Sequence, residues 1–244
     1  MERFKIFICI DDTDEIGYHT STGEICEAIR EHIMEHYAVS AAPITRHQLF
    51  LHEDIPYTSH NSSMCFTTFL SEKEREKVTH FTLEHVENIS APSSDPGVCI
   101  AFEHEIRDLD TLIRYGFDAK EKVLTKESAY AMAKKQNLFL RELKNTGQGI
   151  IGAVAGIALR AQGSDGRIKG KFRLDTPSID VQTLLKNDLI DEIQLIDGSF
   201  LSDNAVIITK DELKIVYLNH KCVLLVEQEG DYYRPLGKEK LTNY

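Results

Sequence analysis

The chain has 244 residues, of which 42% are hydrophobic and 27% charged, and a formal net charge of −11. These values are typical of a soluble globular protein of one large or two small domains and exclude a low-complexity chain. No apolar run is long enough to span a bilayer, and no basic and apolar leader begins the chain. We therefore expect a cytoplasmic protein with no membrane partner. The acidic charge argues against a protein that grips nucleic acid by its phosphates.

The cysteines give no sign of a zinc ribbon or a disulfide framework. They are scattered, lie mostly in apolar contexts, and include no Cys-x-x-Cys pair. Because both structures need recurring cysteine spacings, we expect neither. The cysteines are Cys9, Cys26, Cys65, Cys99 and Cys222.

The hydrophobic pattern predicts a fold of class α+β or α/β. Three short apolar segments near the C-terminus predict a small antiparallel β meander. The predicted elements are strand 4–10, helix 22–37, strands 44–51 and 64–70, helix 72–87, strand 98–103, helices 106–116 and 126–144, a small-residue helix that follows 147–152 and ends at 159, and strands 205–209, 213–218 and 222–227.

The acidic string after the first predicted strand is the most informative part of the chain. Asp11, Asp12 and Asp14 fall within four positions directly after the apolar run 4–10. Like charges this close repel. Hard oxygen ligands suit Mg²⁺, which takes one or two protein carboxylates and completes its shell with water and substrate phosphate. An Asp-rich turn or a helix N-cap explains the same string without a metal.

Hydroxyl residues precede the first predicted helix. Thr20, Ser21 and Thr22 come just before a segment with apolar residues at every fourth position. Free backbone N–H groups at a helix start attract anions, so the acidic loop and this helix start predict a seat for Mg-bound phosphate. A hydroxyl there is a candidate phosphoryl acceptor, with a carboxylate as base. Alternatively, the hydroxyls cap the helix.

The glycine-rich segment 147–152 is a second candidate. It matches the pattern G-x-G-x-x-G, but the element predicted before it is a helix, whereas a dinucleotide-binding fingerprint needs a strand in a βαβ unit. We therefore reject a dinucleotide site. Two roles remain open: phosphate binding by the N–H groups of Gly147 and Gly149, or close helix packing through Gly152 and Gly156.

One basic segment interrupts the acidic chain. Residues 160–173 contain Arg160, Arg167, Lys169, Lys171 and Arg173. Such a segment either binds phosphate or RNA, or forms a solvated loop.

Five short segments occur in a characteristic order: Ile-Asp-Asp-Thr-Asp at 10–14, Gly-Tyr-His-Thr-Ser-Thr at 17–22, a His-Glu-Asp-Ile-Pro-Tyr segment within 52–63, Asp-Pro-Gly-Val-Cys at 95–99, and Thr-Gly-Gln-Gly-Ile-Ile-Gly-Ala at 146–153. They resemble, in order, motifs of the archaeal tRNA agmatidine synthetase family. That family joins agmatine to a cytidine of an isoleucine tRNA anticodon using ATP. The resemblance covers residues 4 to about 160.

The resemblance implies a kinase-like α/β domain over residues 1–90 and a ferredoxin-like α+β domain over 91–175. The strand pattern described above places a small β-rich segment in the remainder, 176–244. The resemblance also implies that Asp11, Asp12 and Asp14 hold Mg²⁺ and ATP, and that Thr20 is the phosphorylated residue. The residues expected near the nucleotide phosphates or the acceptor are Thr13, His19, Ser21, Thr22, Asn61, Ser62, Lys144, Asn145, Gly147, Gln148 and Gly149.

The chain also departs from the family. Three strands at the C-terminus are too few for the family's OB-fold, and zinc-ribbon cysteines are missing, so we expect a short homologue with a changed acceptor. The substituted motif positions are His19 for cysteine, Ser21 for the second threonine, Thr22 for tyrosine, Gln148 for arginine, and Thr58, His60, Ser62 and Ser63 for basic and glycine residues.

The expected function is that of an ATP- and Mg²⁺-dependent phosphoryl transferase or ligase acting on a small molecule rather than on tRNA. The alternatives are a non-catalytic nucleotide-binding regulatory protein, and an RNA-modifying enzyme that needs a separate RNA-binding partner. ATP and an unidentified small-molecule acceptor are the expected partners. Nucleic acid is disfavoured, and a homo-oligomer is compatible with the sequence.

Overall fold

The computed structural model describes residues 2–55, 61–209, 212–242 and 244. They form two compact units, unit 1 (Met1–Gln162) and unit 2 (Gly163–Tyr244). The motif residues Thr58 and His60 lie outside the described residues. The three-part division at residues 90 and 175 stays a prediction, although strands on both sides of residue 90 pair directly, as described next.

Unit 1 is built on a five-stranded sheet in the order β5-β4-β1-β3-β2. Every pairing in it is antiparallel, with β1 between β3 and β4. This pairing differs from the mostly parallel sheet of doubly wound α/β folds, in which ligands bind beyond the carboxyl ends of the strands. The strands are β1 (Phe4–Asp11), β2 (Thr45–Gln48), β3 (Ser62–Leu70), β4 (Gly97–Phe102) and β5 (Phe139–Glu142).

Helices cover both faces of this sheet, and β1 is therefore buried on both sides. Ile6, Ile8 and Ile10 pack with the apolar stripes of α1 and α2. Phe7 and Cys9, which alternate with them, pack against α3, α4 and α5. A strand whose successive side chains point to opposite faces reads as a continuous apolar run when both faces are covered. The helices are α1 (Thr22–Tyr37), α2 (Glu72–Ile89), α3 (Leu109–Glu121), α4 (Lys126–Gln136) and α5 (Ile150–Gln162).

Three thiols cross the centre of the sheet in one row. Cys9 of β1 pairs in register with Cys65 of β3 on one side and with Cys99 of β4 on the other. All three are free and fully buried under α5. Burial raises the pKa of the Cys9 and Cys99 thiols well above the ordinary value. These thiols therefore behave as small core side chains.

Unit 2 is a mixed β structure with its own core, centred on Ile215, Leu224 and Val226. Its strands run in the order β6-β10-β11-β12-β9-β7, and β8 pairs with β11. The β8–β11 and β12–β9 pairings are parallel, and the others are antiparallel. The elements are β6 (Arg167–Ile168), β7 (Ser178–Asp180), α6 (Val181–Leu184), β8 (Glu192–Leu195), β9 (Val206–Ile208), β10 (Ile215–Leu218), β11 (Lys221–Glu229) and β12 (Tyr232–Pro235).

The mixed α/β class is confirmed, and most predicted elements of unit 1 are present within a few residues. The predicted helix 126–144 was wrong in its second half. It ends at Gln136 because Asn137 adopts the left-handed conformation (φ 60°) that terminates helices, and β5 follows. The glycine segment therefore does follow a strand, but β5 is an antiparallel edge strand rather than part of a βαβ unit.

The C-terminal prediction was too simple. Strands β10, β11 and β12 form an antiparallel meander, but β9, predicted as its first strand, instead pairs with β12 and β7. The described part of unit 2 contains seven strands rather than three. Short strands of two to four residues carry too little periodicity to be recognised. Within the described residues, no helix is long and apolar enough to cross a membrane.

Candidate functional site

The candidate site lies at the end of β1, where the acidic string leaves the sheet. Asp11 is the last residue of the strand, pairs in register with Gly97 of β4, and is 7% exposed. Asp12 then takes a left-handed backbone conformation (φ 52°), which aspartate tolerates better than most residues. The Asp12 N–H donates to Oδ1 of Asp11 at 2.9 Å. This turn places the carboxylates of Asp11 and Asp12 side by side at the end of β1.

The rest of the acidic loop is bound to the start of α1. The Thr22 N–H donates to Oδ2 of Asp14 at 3.2 Å, and the buried Thr13 hydroxyl donates to the Thr22 hydroxyl at 3.0 Å. Ser21 is the N-cap of α1 and forms a capping box with Glu24. The capping interpretation is thus correct for Ser21, and one N–H at the helix start is already bonded to a carboxylate.

Thr20 and His19 lie between the carboxylates and the helix. Thr20 is half-buried, and its hydroxyl forms no hydrogen bond within the part of the chain that the structure describes. His19 is exposed, with its ring against that of Tyr18 at 4.3 Å between centroids. Thr20 is therefore the predicted hydroxyl that the local structure leaves available.

A second loop reaches the same sheet edge from β5. Leu143 donates its N–H to the Pro96 carbonyl at 2.8 Å, and Lys144 Nζ donates to the Ser90 carbonyl at 2.8 Å. Asn145 Nδ2 donates to the carbonyls of Pro92 and Ser94 at 3.0 and 2.7 Å. The positions predicted to bind phosphate therefore hold the turn before β4 in place.

Asp95 occupies the N–H groups that the glycine segment was expected to offer. Oδ1 of Asp95 accepts from the N–H of Thr146 and, at 2.9 Å, from that of Gly147. The Asp95 carbonyl accepts from the N–H of Gly149 at 2.9 Å. A carboxylate of the chain itself thus lies where an anion was predicted.

The glycines allow the start of α5 to contact the end of β1. A Cβ on Gly149 would lie 2.8 Å from the Asp11 carbonyl, and one on Gly97 would lie 2.2 Å from the backbone of Gly149. A Cβ on Gly152 would lie 1.6 Å from Oδ2 of Asp11. Any larger side chain would displace the helix or the Asp11 carboxylate. The close-packing role of these glycines is therefore visible in the structure.

Burial, together with the neighbouring carboxylates, disfavours the charged forms of Asp11 and Asp12. Burial, and then the charge of Asp12, raises the pKa of Asp11 well above its ordinary value. Burial, followed by the charges of Asp95 and Asp14, raises the pKa of Asp12 to about 7. The charges of Asp11 and Asp12 are therefore unfavourable unless a proton or a cation offsets them.

The residues present fit a hard divalent cation. The donors at this edge are carboxylate and hydroxyl oxygens, which Mg²⁺ prefers, and Mg²⁺ needs few of them because it keeps several waters. The oxygens of Asp11, Asp12 and Asp14 do not all converge, since Asp11 is turned to the Asp12 N–H and Asp14 to Thr22. The arrangement therefore suits a cation held by one or two of these carboxylates.

One group of three described residues does have converging donors, but it lies elsewhere. Donor atoms of Glu72, His104 and Glu105 lie within 4.8 Å of one another. Arg75 already bridges the two glutamates, at 2.7 Å from Glu72 and 2.8 Å from Glu105. The guanidinium supplies the positive charge that a metal would bring, so this group is an ion-pair network.

Asn61 and Ser62 lie near the same sheet edge, at the beginning of β3. The last register pair between β1 and β3 is Ile10 with Met64, which places both residues just beyond the end of that pairing. Asn61 Nδ2 donates to the Phe50 carbonyl at 2.7 Å, and the Ser62 hydroxyl accepts from Arg46 at 2.9 Å. Their side chains organise the neighbouring loop.

Sequence reasoning missed Asp95 as a site residue and misjudged Arg160. Asp95 stood in a recognised motif, Asp-Pro-Gly, but that motif lies far along the chain from the acidic string, so no local signal linked the two. Arg160, counted in the basic segment, is 2% exposed at the end of α5 and contributes nothing to a surface patch. Burial also lowers the pKa of Arg167.

Comparison with solved structures identifies the fold. The chain is similar to TiaS, a tRNA agmatidine synthetase, in complex with tRNA and ATP, with a TM-score of 0.55 and 15% identity over 88% of this chain and 51% of that one. It is also similar to a complex of TiaS with tRNA, AMPCPP and agmatine. The TM-score is 0.54, with 14% identity over 88% of this chain and 52% of that one. The fold is similar to that of TiaS. A tRNA fluorescent labelling enzyme is similar over a shorter part of the chain. Its TM-score is 0.54, with 19% identity over 63% of this chain and 36% of that one.

The similarity to TiaS covers most of this chain but only about half of the TiaS chains. A coverage of 88% cannot come from unit 1 alone, which holds residues 1–162, so the TiaS-like fold extends into unit 2. The chain spans about half the length of the TiaS chains. No protein-family model and no curated protein matches it. At these identities the likeness establishes the fold and leaves the activity to be argued from the site.

Proposed function

We propose that this chain is an ATP- and Mg²⁺-dependent phosphoryl transferase or ligase that acts on a small molecule. The observation that carries the proposal is the group of carboxylates around the left-handed Asp12, whose pKa is raised to about 7 by burial and by Asp95 and Asp14. Charged groups in such unfavourable surroundings destabilise the folded protein, and they are concentrated at functional sites. The likeness to TiaS complexes that contain ATP and AMPCPP supports a nucleotide as the ligand.

The residues would divide the work as follows. Asp12 and Asp14 would bind the cation and so orient the triphosphate, while Asp11, fixed by the Asp12 N–H, would set the direction of the loop. Mg²⁺ held there would neutralise the charge that develops on the transferred phosphoryl group. Thr20, a hydroxyl with no hydrogen bond within the described residues, would be the phosphoryl acceptor or line its position.

The charge of the chain supports a small-molecule acceptor over a tRNA. The net charge is −11, and the buried Arg160 adds nothing to the basic face that a tRNA substrate needs. The RNA-modifying alternative would therefore require a separate RNA-binding partner. RNA-stimulated ATP turnover would indicate that alternative.

The test is incubation of the purified chain with γ-labelled ATP and Mg²⁺, following both free phosphate and label on the protein. We expect ATP turnover or protein labelling in the wild type and neither in Asp12→Asn. Asparagine keeps the left-handed backbone, so the fold should persist. Label on the protein should also disappear in Thr20→Ala. The control is Asp110→Asn, at an exposed position in the first turn of α3.

The outcomes separate the proposal from its main competitor. Turnover that survives in Asp12→Asn would contradict the metal assignment. ATP binding without turnover or labelling would favour a nucleotide-binding regulatory protein. The N–H groups of Gly147 and Gly149 are bonded to Asp95, so in both candidates the phosphates would have to be bound by other groups.

A further inference from the structure

A column of four aromatic rings lies where α1 and α2 meet, formed by two residues of each helix. The rings of His32 and Phe81 stack with centroids 3.5 Å apart and planes 7° apart. His36 stacks on the other side of His32 at 3.9 Å, and His85 follows Phe81 at 5.4 Å. We call these residues the ring column. Neither the fold nor the proposed reaction requires imidazoles here.

His32 and His36 are four residues apart on α1, so both project from one face of the helix. Two imidazoles at this spacing are the arrangement by which a helix offers two nitrogen ligands to one metal ion. His36 is exposed and His32 is half-buried, so water and ions reach them. The pair therefore differs from a core histidine that is enclosed by its neighbours.

A backbone hydrogen bond fixes which nitrogen of His36 is available. Nδ1 of His36 lies 2.9 Å from the His32 carbonyl, which can only accept, so Nδ1 carries the proton and donates. Nε2 is then left with its lone pair. Metal-binding histidines generally donate their second ring N–H to a carbonyl or carboxylate in this way, which orients the ring and raises its basicity.

The ring of His32 is oriented by its neighbours. It packs between the rings of His36 and Phe81, which restricts its rotation.

We propose that His32 and His36 form a binding site for one borderline divalent cation, Zn²⁺, Cu²⁺ or Ni²⁺, with water completing the coordination. The stacked planes must tilt toward each other at the ion, which the exposed His36 ring can do without disturbing the core. Imidazole nitrogen favours these ions over Mg²⁺, whereas the carboxylates at the end of β1 favour Mg²⁺. The chain would then carry two metal sites of opposite preference.

The experiment is calorimetric titration of the full chain with Zn²⁺, in excess Mg²⁺ so that the carboxylate site does not compete. Cu²⁺ titration followed by the nitrogen couplings of its EPR spectrum counts the imidazole ligands. We expect one ion per chain bound by two nitrogens, and a loss of affinity of about tenfold or more in His32→Gln and in His36→Gln. Circular dichroism establishes that each variant is folded.

Two matched variants decide whether the pair is specific. His85→Gln removes another ring of the same column, and His80→Gln removes an exposed histidine of α2. Both should bind Zn²⁺ like the wild type. Equal losses in these controls, or no binding that His36→Gln weakens, would overturn the proposal. Repeating the titration in Asp12→Asn keeps the result independent of the ATP-dependent function.

Discussion

The two faces of the unit 1 sheet are covered in opposite ways. On the α1 and α2 face, branched and aromatic side chains such as Ile29, Phe66 and Phe102 fill the space between helices and sheet. On the other face, α5 carries glycine and alanine where it crosses β1 and β3, so the helix contacts the strands almost directly. The first face is an ordinary hydrophobic core. On the second face, small side chains allow the helix to lie closer to the strands.

The close packing of α5 accounts for the burial of Asp11 at the acidic edge. Large core residues give stability, but their volume holds a helix away from the sheet. Gly149 and Gly152 remove that spacer, so the start of α5 touches the Asp11 backbone and carboxylate. Close contact there excludes water from one side of Asp11, which contributes to the raised pKa of that residue. The proposed site is thus associated with the tightly packed face.

Gly97→Ala should have the largest effect, and it should destabilise the face covered by α5. The new Cβ would lie 2.2 Å from backbone atoms of Gly149 and Ile150, which cannot rotate away. We expect a loss of about 3 kcal/mol or more in the free energy of unfolding, measured by urea denaturation. Gly198→Ala, whose Cβ would meet nothing within 4 Å but whose φ is +84°, should cost about 1–2 kcal/mol for backbone strain alone. Equal costs would refute the close contact.

Gly156→Ala should have an intermediate effect, because side chains can yield. Its Cβ would lie 2.4 Å from Sγ of Cys9 and 2.6 Å from Oγ of Ser63. We expect a loss of about 1–3 kcal/mol, part of which should return in Ser63→Ala, since that change removes one of the clashing atoms. A double-mutant cycle with no coupling energy would contradict this arrangement.

Asp12→Asn should stabilise the metal-free protein above neutral pH. Because the folded pKa of Asp12, about 7, exceeds the unfolded value near 3.8, the folded state holds the extra proton. Stability therefore falls as the pH rises through this window. Removing the charge should restore about 1–2 kcal/mol, less than the full shift implies because part of the carboxyl faces water. Melting temperatures from pH 4 to 8 would show a flatter profile in the variant, and saturating Mg²⁺ should flatten the wild-type profile likewise.

Ile29→Val should have the smallest effect and sharpen the contrast. Ile29 is fully buried on the α1 face, and loss of one methylene there should cost about 1 kcal/mol. Side chains of the size found on this face can relax into the space. A cost as large as that of Gly97→Ala would mean that both faces are equally intolerant.

Much of unit 1 was predictable because its elements are long and regular. Helix α1 was predicted with the bounds it has, since the capping box of Ser21 and Glu24 marks its start and isoleucines recur along its buried face. The Asp-x-x-Asp string was recognisable for the same reason: all its charges are adjacent in sequence. Local signals of this kind need no knowledge of tertiary contacts.

What the sequence could not supply depends on residues distant along the chain. Asp95 joins the site through bonds to Thr146 and Gly147, fifty residues later, and no local pattern predicts that contact. Strand β5 is four residues long and is an edge strand, so its periodicity is too short to compete with the helical pattern before it. The short strands of unit 2 were missed for the same reason.

The row of thiols beneath α5 makes the opening of the sheet measurable. Cys9, Cys65 and Cys99 are fully buried at the centre of unit 1, whereas Cys222 lies in unit 2 and is 7% exposed. A thiol reagent can modify the first three only when α5 leaves the sheet or the strands separate. The rate at which each cysteine is labelled therefore reports, without any introduced probe, how often each unit opens under native conditions. Ligands that close the acidic edge should slow the labelling of Cys9 before they change that of Cys222.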